Sequence, residues 1–217
     1  MGKITFTPIQ QRLFDAITQN ALLPKTFYFT GGTALSAIYL HHRKSEDLDF
    51  FSETDFDNKP IMEIMNTVAS SMKVTPRFTL AYNSRIFELV KEDELIIKID
   101  FVYQPFKRLK KGLALKGFPV DSLLDIATNK LLTIVQRTEI KDFADLFFLL
   151  KNFTVWDLLY AVKKKYNIEL DIILLGSDFL KIEKFDYLPK MIKPLSLEEL
   201  KSFFTQKAKE IGSRAVE

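Results

Sequence analysis

Thr26-Phe27-Tyr28-Phe29-Thr30-Gly31-Gly32 opens a stretch that closes at Asp47-Leu48-Asp49-Phe50-Phe51. A β-favouring run stops at a glycine pair. A helical pattern with Leu35, Ile38 and Tyr39 on one side then covers Thr33 to His42, and a second short strand follows at Asp47 to Phe51. Upstream, Phe14 and Ile17 anchor a helix over Ile9 to Thr18. Downstream, Pro60 suits the first turn of a helix ending near Met72. From Val74 the period changes to two. Arg77 to Tyr82, Arg85 to Val90 and Leu95 to Tyr103 read as an antiparallel meander, with polar turns at Asn83-Ser84 and Glu92-Asp93. Beyond Pro119 the pattern is helical: Asp121 to Arg137, Ile140 to Leu150, Val155 to Tyr166, Leu170 to Leu180 and Leu197 to Ile211, the last opened by a Ser196/Glu199 capping box. The expected class is α+β. Residues 1–105 form an α/β domain, 106–118 a basic linker and 119–217 a helical domain.

Composition limits the chemistry. The 217 residues are 47% hydrophobic and 27% charged, with 20 Phe, which is a globular composition with bulk for a core. Cys is absent, so disulfides, thiolate metal sites and cysteine nucleophiles are excluded. The two His, His41 and His42, are too few for a multi-histidine metal cage. A net charge of +3 does not by itself imply a nucleic-acid partner. No apolar run approaches the roughly 20 residues that cross a bilayer, so no membrane association is expected. Met1 to Thr7 lacks a basic segment followed by an apolar one. No signal peptide is expected, and the cytoplasm is the expected compartment.

Asp47 and Asp49 carry the first chemical signal. Residues two apart on a strand share a face, so these carboxylates stand side by side and repel unless a cation intervenes. A hard divalent ion such as Mg²⁺, or Mn²⁺, is the natural compensator. Asp100 interrupts the apolar strand Leu95 to Val102, where a carboxylate is costly unless paired, hydrogen-bonded or metal-bound. If the two strands are neighbours, three carboxylates converge, a set suited to two-ion phosphoryl chemistry. Gly31-Gly32 leads a strand into a helix and lets an anion approach bare backbone N–H groups.

Together the runs Gly31-Gly32-Thr33-Ala34-Leu35 and Tyr39 to Phe51 resemble the AbiEii/AbiGii toxin family of nucleotidyltransferases, within the polymerase-beta-type superfamily. Gly31, Gly32, Asp47, Asp49 and Asp100 fit its glycine turn, D-x-D strand and later strand acid in order. Lys130 to Arg137 followed by Lys141-Asp142-Phe143-Ala144-Asp145 matches the family's helical motif K-x(6)-R-x(3)-K/R-D-x-x-D. The resemblance implies a nucleotidyltransferase-type mixed sheet with flanking helices, followed by a helical bundle. It implies catalytic and metal-binding roles for Asp47, Asp49 and Asp100. It also implies nucleotide binding by Gly31, Gly32, Thr33, Ser45, Lys130, Asp142 and Asp145, with an NTP as substrate. The implied activity is transfer of a nucleotide to an acceptor hydroxyl, such as a tRNA end or another RNA, in a toxin paired with a cognate antitoxin protein. A non-catalytic nucleotide-binding module and an antibiotic-type small-molecule nucleotidyltransferase are the alternatives.

Each feature also has a plainer reading. Asp100 can simply pair with Lys98, and Lys130, Arg137, Asp142 and Asp145 can form surface ion pairs worth under about 1 kcal/mol each. Arg43 and Lys44 are expected to favour a helix C-terminus through its dipole. His41 and His42 are expected at the surface or at a cap, and Lys163-Lys164-Lys165 on a solvated helix face. Lys107 to Lys116 is either a solvated linker or a phosphate-tracking patch. Phe143, Phe147 and Phe148 suit a helical core.

Overall fold

The computed structural model of the chain describes residues 4–214. Residues 1–3 of the opening read for a signal peptide lie outside them. The fold is mixed α+β and divides into two compact units. A sheet unit holds residues up to Tyr39, Ser45–Lys107 and Lys111–Ser122, and a helical unit holds Leu40–Lys44, Arg108–Lys110 and everything from Leu123.

In the sheet unit, α1 (Pro8–Thr18) begins at a Thr7 capping box closed by Gln10, and α2 (Leu23–Thr26) is a single turn. Strand β1 (Tyr28–Thr30) runs into α3 (Gly31–Ala34), which widens into a π-helical segment at Leu35–Leu40. Then come β2 (Leu48–Ser52), α4 (Asn58–Met72), β3 (Thr75–Ala81), β4 (Ser84–Lys91) and β5 (Glu94–Tyr103). The sheet order is β1-β2-β5-β4-β3, and β2 pairs parallel to β5 while every other pairing is antiparallel. The meander therefore forms as its period predicts. Its second hairpin turns on Glu92 and Asp93, both at positive φ, the two-residue turn whose twist matches the strands.

Alternation sets the two faces of the sheet. Leu48 and Phe50 of β2 and Ile97, Ile99 and Phe101 of β5 are buried on one face. Phe50 lies 5.2 Å from Phe101 and 5.5 Å from Phe118, and Phe14 lies 5.2 Å from Phe29, ring centre to ring centre. Such pairs add about 0.5–1.5 kcal/mol each to area burial. Asp49, Lys98 and Asp100 fall on the opposite face.

Residues 106–118 were expected to be a linker, but they are divided between the two units. Short strands β6 (Ala114–Leu115) and β7 (Phe118–Pro119) make a hairpin turning at Lys116 and Gly117, both with positive φ. The turn folds Leu115 and Phe118 into the sheet unit's core, so apolar burial overrides the basic composition of this stretch.

The helical unit contains α5 (Leu123–Gln136), α6 (Ile140–Leu149), α7 (Val155–Tyr166), α8 (Ile172–Leu180) and α9 (Leu197–Arg214), with a 3₁₀ turn at Lys181–Lys184. Phe143, Phe147 and Phe148 are buried as their helical spacing predicts. Phe143 and Phe179 each meet Phe204 edge-on, at 5.1 and 5.2 Å. Lys165 departs from expectation. It is buried, and its Nζ lies 2.9 Å from Asp125 Oδ1 and 3.0 Å from Asn129 Oδ1. Asp125 also accepts from the Leu109 and Lys110 backbone N–H groups, so its charge is fully met without solvent. Among the described residues no helix is long and apolar enough to cross a membrane.

Candidate functional site

Parallel pairing of β2 with β5 decides the acidic site. The register sets Asp49 opposite Asp100, so both side chains rise from one face of the sheet on neighbouring strands. Asp47 stands two residues before Asp49, at the entry to β2. Lys98 reaches back along its own strand, and its Nζ lies 2.6 Å from Asp100 Oδ2. Partial burial pulls the Lys98 ammonium down, but Asp100, then Asp47 and Asp49, outweigh this and raise its pKa above the ordinary lysine value. The ammonium thus sits as the direct counter-charge of Asp100. Asp100 Oδ1 is buried with no hydrogen-bond partner among the described residues.

The glycine turn closes over the same point. Gly31 has φ +74°, and a Cβ built on it would stand 2.0 Å from Asp49 Oδ2. Gly31→Ala should therefore cost about 1–2 kcal/mol through the left-handed backbone alone and displace the Asp49 carboxylate as well. Thermal unfolding reads the first effect, and the rate of nucleotide transfer reads the second.

Thr33 and Ser45, expected at the nucleotide, face one another. The Thr33 hydroxyl donates to the Asp47 carbonyl, and the Ser45 hydroxyl lies 2.9 Å from Thr33 Oγ1. Gln10 of α1 donates from Nε2 to the Ser45 and Glu46 carbonyls at 2.8 and 3.2 Å, which ties down the approach to β2. Thr30 pairs with Asp49 in the β1–β2 register and donates to Asp121 Oδ2 at 2.8 Å. Gln10 and Asp121 carried no signal in the sequence, because each meets this site only through chain pairing.

Among the described residues no group of three or more His, Cys, Asp or Glu side chains is already disposed to hold a metal ion. The donor chemistry nevertheless fits a hard cation, with all-carboxylate ligands, two of them opposite in register, and one buried oxygen without a partner among the described residues.

The helical motif folds into a second cluster, within the helical unit. Lys130 Nζ lies 2.7 Å from Asp142 Oδ1 and 2.7 Å from Asp145 Oδ2. Arg137 Nε donates to Asp142 Oδ2 at 2.8 Å. His42 and Arg43 join them, contrary to the surface, cap and dipole roles expected of them. Arg43 grips Asp145 with two hydrogen bonds, at 2.6 and 2.8 Å, and His42 Nε2 lies 2.7 Å from Asp145 Oδ1. Both are buried because the segment His42–Lys44 pairs with Lys190–Lys193. Lys44 N–H donates to the Lys190 carbonyl, and Ile192 and Lys193 N–H donate to the His42 carbonyl. These are not surface ion pairs, since Asp142 and Asp145 have no solvent exposure.

Burial pushes the Asp145 pKa up, but Lys130 and Arg43 outweigh it and hold the carboxyl well below its ordinary value. Burial also pulls Lys130 down, and Asp145 with Asp142 reverses it, so the ammonium stays charged. For His42 burial wins over the Asp145 hydrogen bond, and its pKa lies below the ordinary value. The neutral ring then donates from Nε2 to Asp145, and Nδ1 finds no partner among the described residues. Below about pH 6.5 the unfolded chain takes up a proton that folded His42 resists, so stability is lost as pH falls. The expected slope reaches about 1.4 kcal/mol per pH unit. His42→Gln keeps a donor and cannot titrate. Denaturant melts at pH 7 and pH 5.5 should show the wild type losing the larger share.

The sequence matches, over residues 12–215, the family described as "Nucleotidyl transferase AbiEii toxin, Type IV TA system". It is 33% identical over 193 residues to "Uncharacterized protein aq_aa25" of Aquifex aeolicus (strain VF5), covering 85% of this chain and 87% of the relative. Among solved structures, JHP933 from Helicobacter pylori is similar with a TM-score of 0.58 at 21% identity, over 97% of this chain and 94% of that one. MenT4, a nucleotidyltransferase toxin from Mycobacterium tuberculosis H37Rv, has a TM-score of 0.57 at 15% identity, over 94% and 82%. At these identities the two structures speak for the fold, and the family match spans almost the whole chain. The chain belongs to the AbiEii nucleotidyltransferase toxin family.

Proposed function

We propose that this protein transfers a nucleotide from an NTP to an acceptor hydroxyl, with Asp47, Asp49 and Asp100 holding divalent cations at the reacting phosphate. The observation that carries the reading is the register of Asp49 against Asp100, with one buried Asp100 oxygen left unpartnered among the described residues. Mg²⁺ or Mn²⁺, when bound by these acids, supplies the positive charge that offsets the phosphates and the developing transition-state charge. The Gly31-Gly32 turn, bare of side chains, admits the phosphates beside Asp49, and the Thr33–Ser45 pair keeps the entry to β2 in place. An acceptor oxygen then bonds to the α-phosphorus as the bond to pyrophosphate breaks; Asp100 either helps hold the second ion or takes the hydroxyl proton.

For the helical unit we keep the roles the motif implies. Lys130 is the nucleotide-phosphate ligand, and Asp142 and Asp145 hold its ammonium charged and in place. The acceptor in this reading is RNA, such as a tRNA end, and the exposed Lys107, Lys110 and Lys111 supply phosphate contacts. The biological setting is a cytoplasmic toxin with a cognate antitoxin protein.

Incubation with each radiolabelled NTP, Mg²⁺ or Mn²⁺, total tRNA and cell extract tests this directly. Label appearing on RNA, with pyrophosphate released, supports the reading. Nucleotide binding without pyrophosphate release on any acceptor supports the non-catalytic module instead. Label on an aminoglycoside supports the small-molecule enzyme. Growth arrest on expression, relieved by a neighbouring gene, supports the toxin role.

A further inference from the structure

We infer that Lys98 is a built-in counter-ion that holds the acidic site closed to metal until a divalent cation takes Asp100 from it. This rests on the metal reading above and concerns what regulates that site. The two residues stand two apart on β5, on the same face, with 2.6 Å between Lys98 Nζ and Asp100 Oδ2. The other oxygen of Asp100 is buried and has no partner among the described residues, so the carboxylate is only half satisfied there. Asp49 and Asp100 stand opposite in register on one face and repel, and the Lys98 ammonium is the counter-charge in direct contact with Asp100.

A divalent cation carries more charge and accepts several carboxylate oxygens at once, which an ammonium does not. A cation held by Asp100 would release Lys98 from Oδ2 and take up the carboxylate that is half satisfied without it. The ammonium therefore weakens metal binding while offsetting the repulsion between the acids. Lys98 acts through Asp100 and is a positioning residue.

The test uses Mn²⁺ alone, without nucleotide, and titrates the full chain at pH 8 while following the free-ion EPR signal. Lys98→Met should bind Mn²⁺ at least tenfold more tightly than wild type. Lys98→Arg should return affinity to the wild-type level or below, since it restores the charge. In the absence of metal, Lys98→Met should unfold at a lower temperature than wild type, and Mn²⁺ should recover the difference. Lys98→Gln, which keeps a polar tip, serves as a second neutral variant should Lys98→Met fail to fold. Equal Mn²⁺ affinity in the wild type and both neutral variants overturns the inference and leaves the metal reading standing. Absence of Mn²⁺ binding in every variant, with no response to Asp100→Asn, sinks the metal reading and the inference with it.

Discussion

Asp49→Asn should lower nucleotide transfer by about 10²–10³-fold, the usual cost of removing one preorganised electrostatic group from a reacting centre. The substitution changes volume little. It also removes a charge that repels Asp100, so the fold should tolerate it. Expected together are a thermal midpoint within a few degrees of wild type and a near-complete loss of labelled product. Asp49 faces the glycine turn and Asp100 at once, which is why it should outweigh its neighbours. Wild-type turnover in Asp49→Asn would remove the acidic face from the chemistry.

Asp145→Asn should have the largest effect on stability, about 3–5 kcal/mol, because it strips the partner from buried cations. Asp145 Oδ1 receives His42 and Arg43, and Oδ2 receives Arg43 and Lys130, with no water to replace a lost charge. The sign with pH follows from the depressed carboxyl. Its contribution is fully present above the unfolded value near pH 4, and it is lost as pH falls from there toward the lower folded value. Urea melts at pH 7 should show the deficit. Melts repeated in acid should show wild type approaching the variant. A deficit under about 1 kcal/mol at pH 7 would return the cluster to the energetic class of surface pairs.

Much of this site was open to a reader of the bare sequence. Gly31-Gly32, the Asp47–Asp49 spacing and a lone carboxylate in the apolar run around Asp100 are local signals, each visible within a few residues. The helical motif was equally visible, as was its pairing of Lys130 with Asp142 and Asp145 as a candidate second constellation. His42 and Arg43 were misjudged because Asp145 lies more than 100 residues away and no local periodicity points to it. Lys165 looked solvated for the same reason, since its acidic partner sits on another helix. The hairpin at Ala114 to Pro119 was hidden under a run of lysines. Only the burial of Leu115 and Phe118 shows that two apolar side chains outweigh the charged ones between and around them.

Short-range spacing thus established which side chains share a face of one strand or one helix, because backbone geometry repeats every two or 3.6 residues wherever it occurs. It settled the strand, glycine turn and acid pair, the meander and the run of helices. Folding in three dimensions added the parallel seam between β2 and β5, which sets Asp49 against Asp100, and the burial that turns His42, Arg43 and Lys165 into partners of acids. Those outcomes depend on the register between distant segments and on the loss of water around charges. Neither is a property of any one stretch of chain.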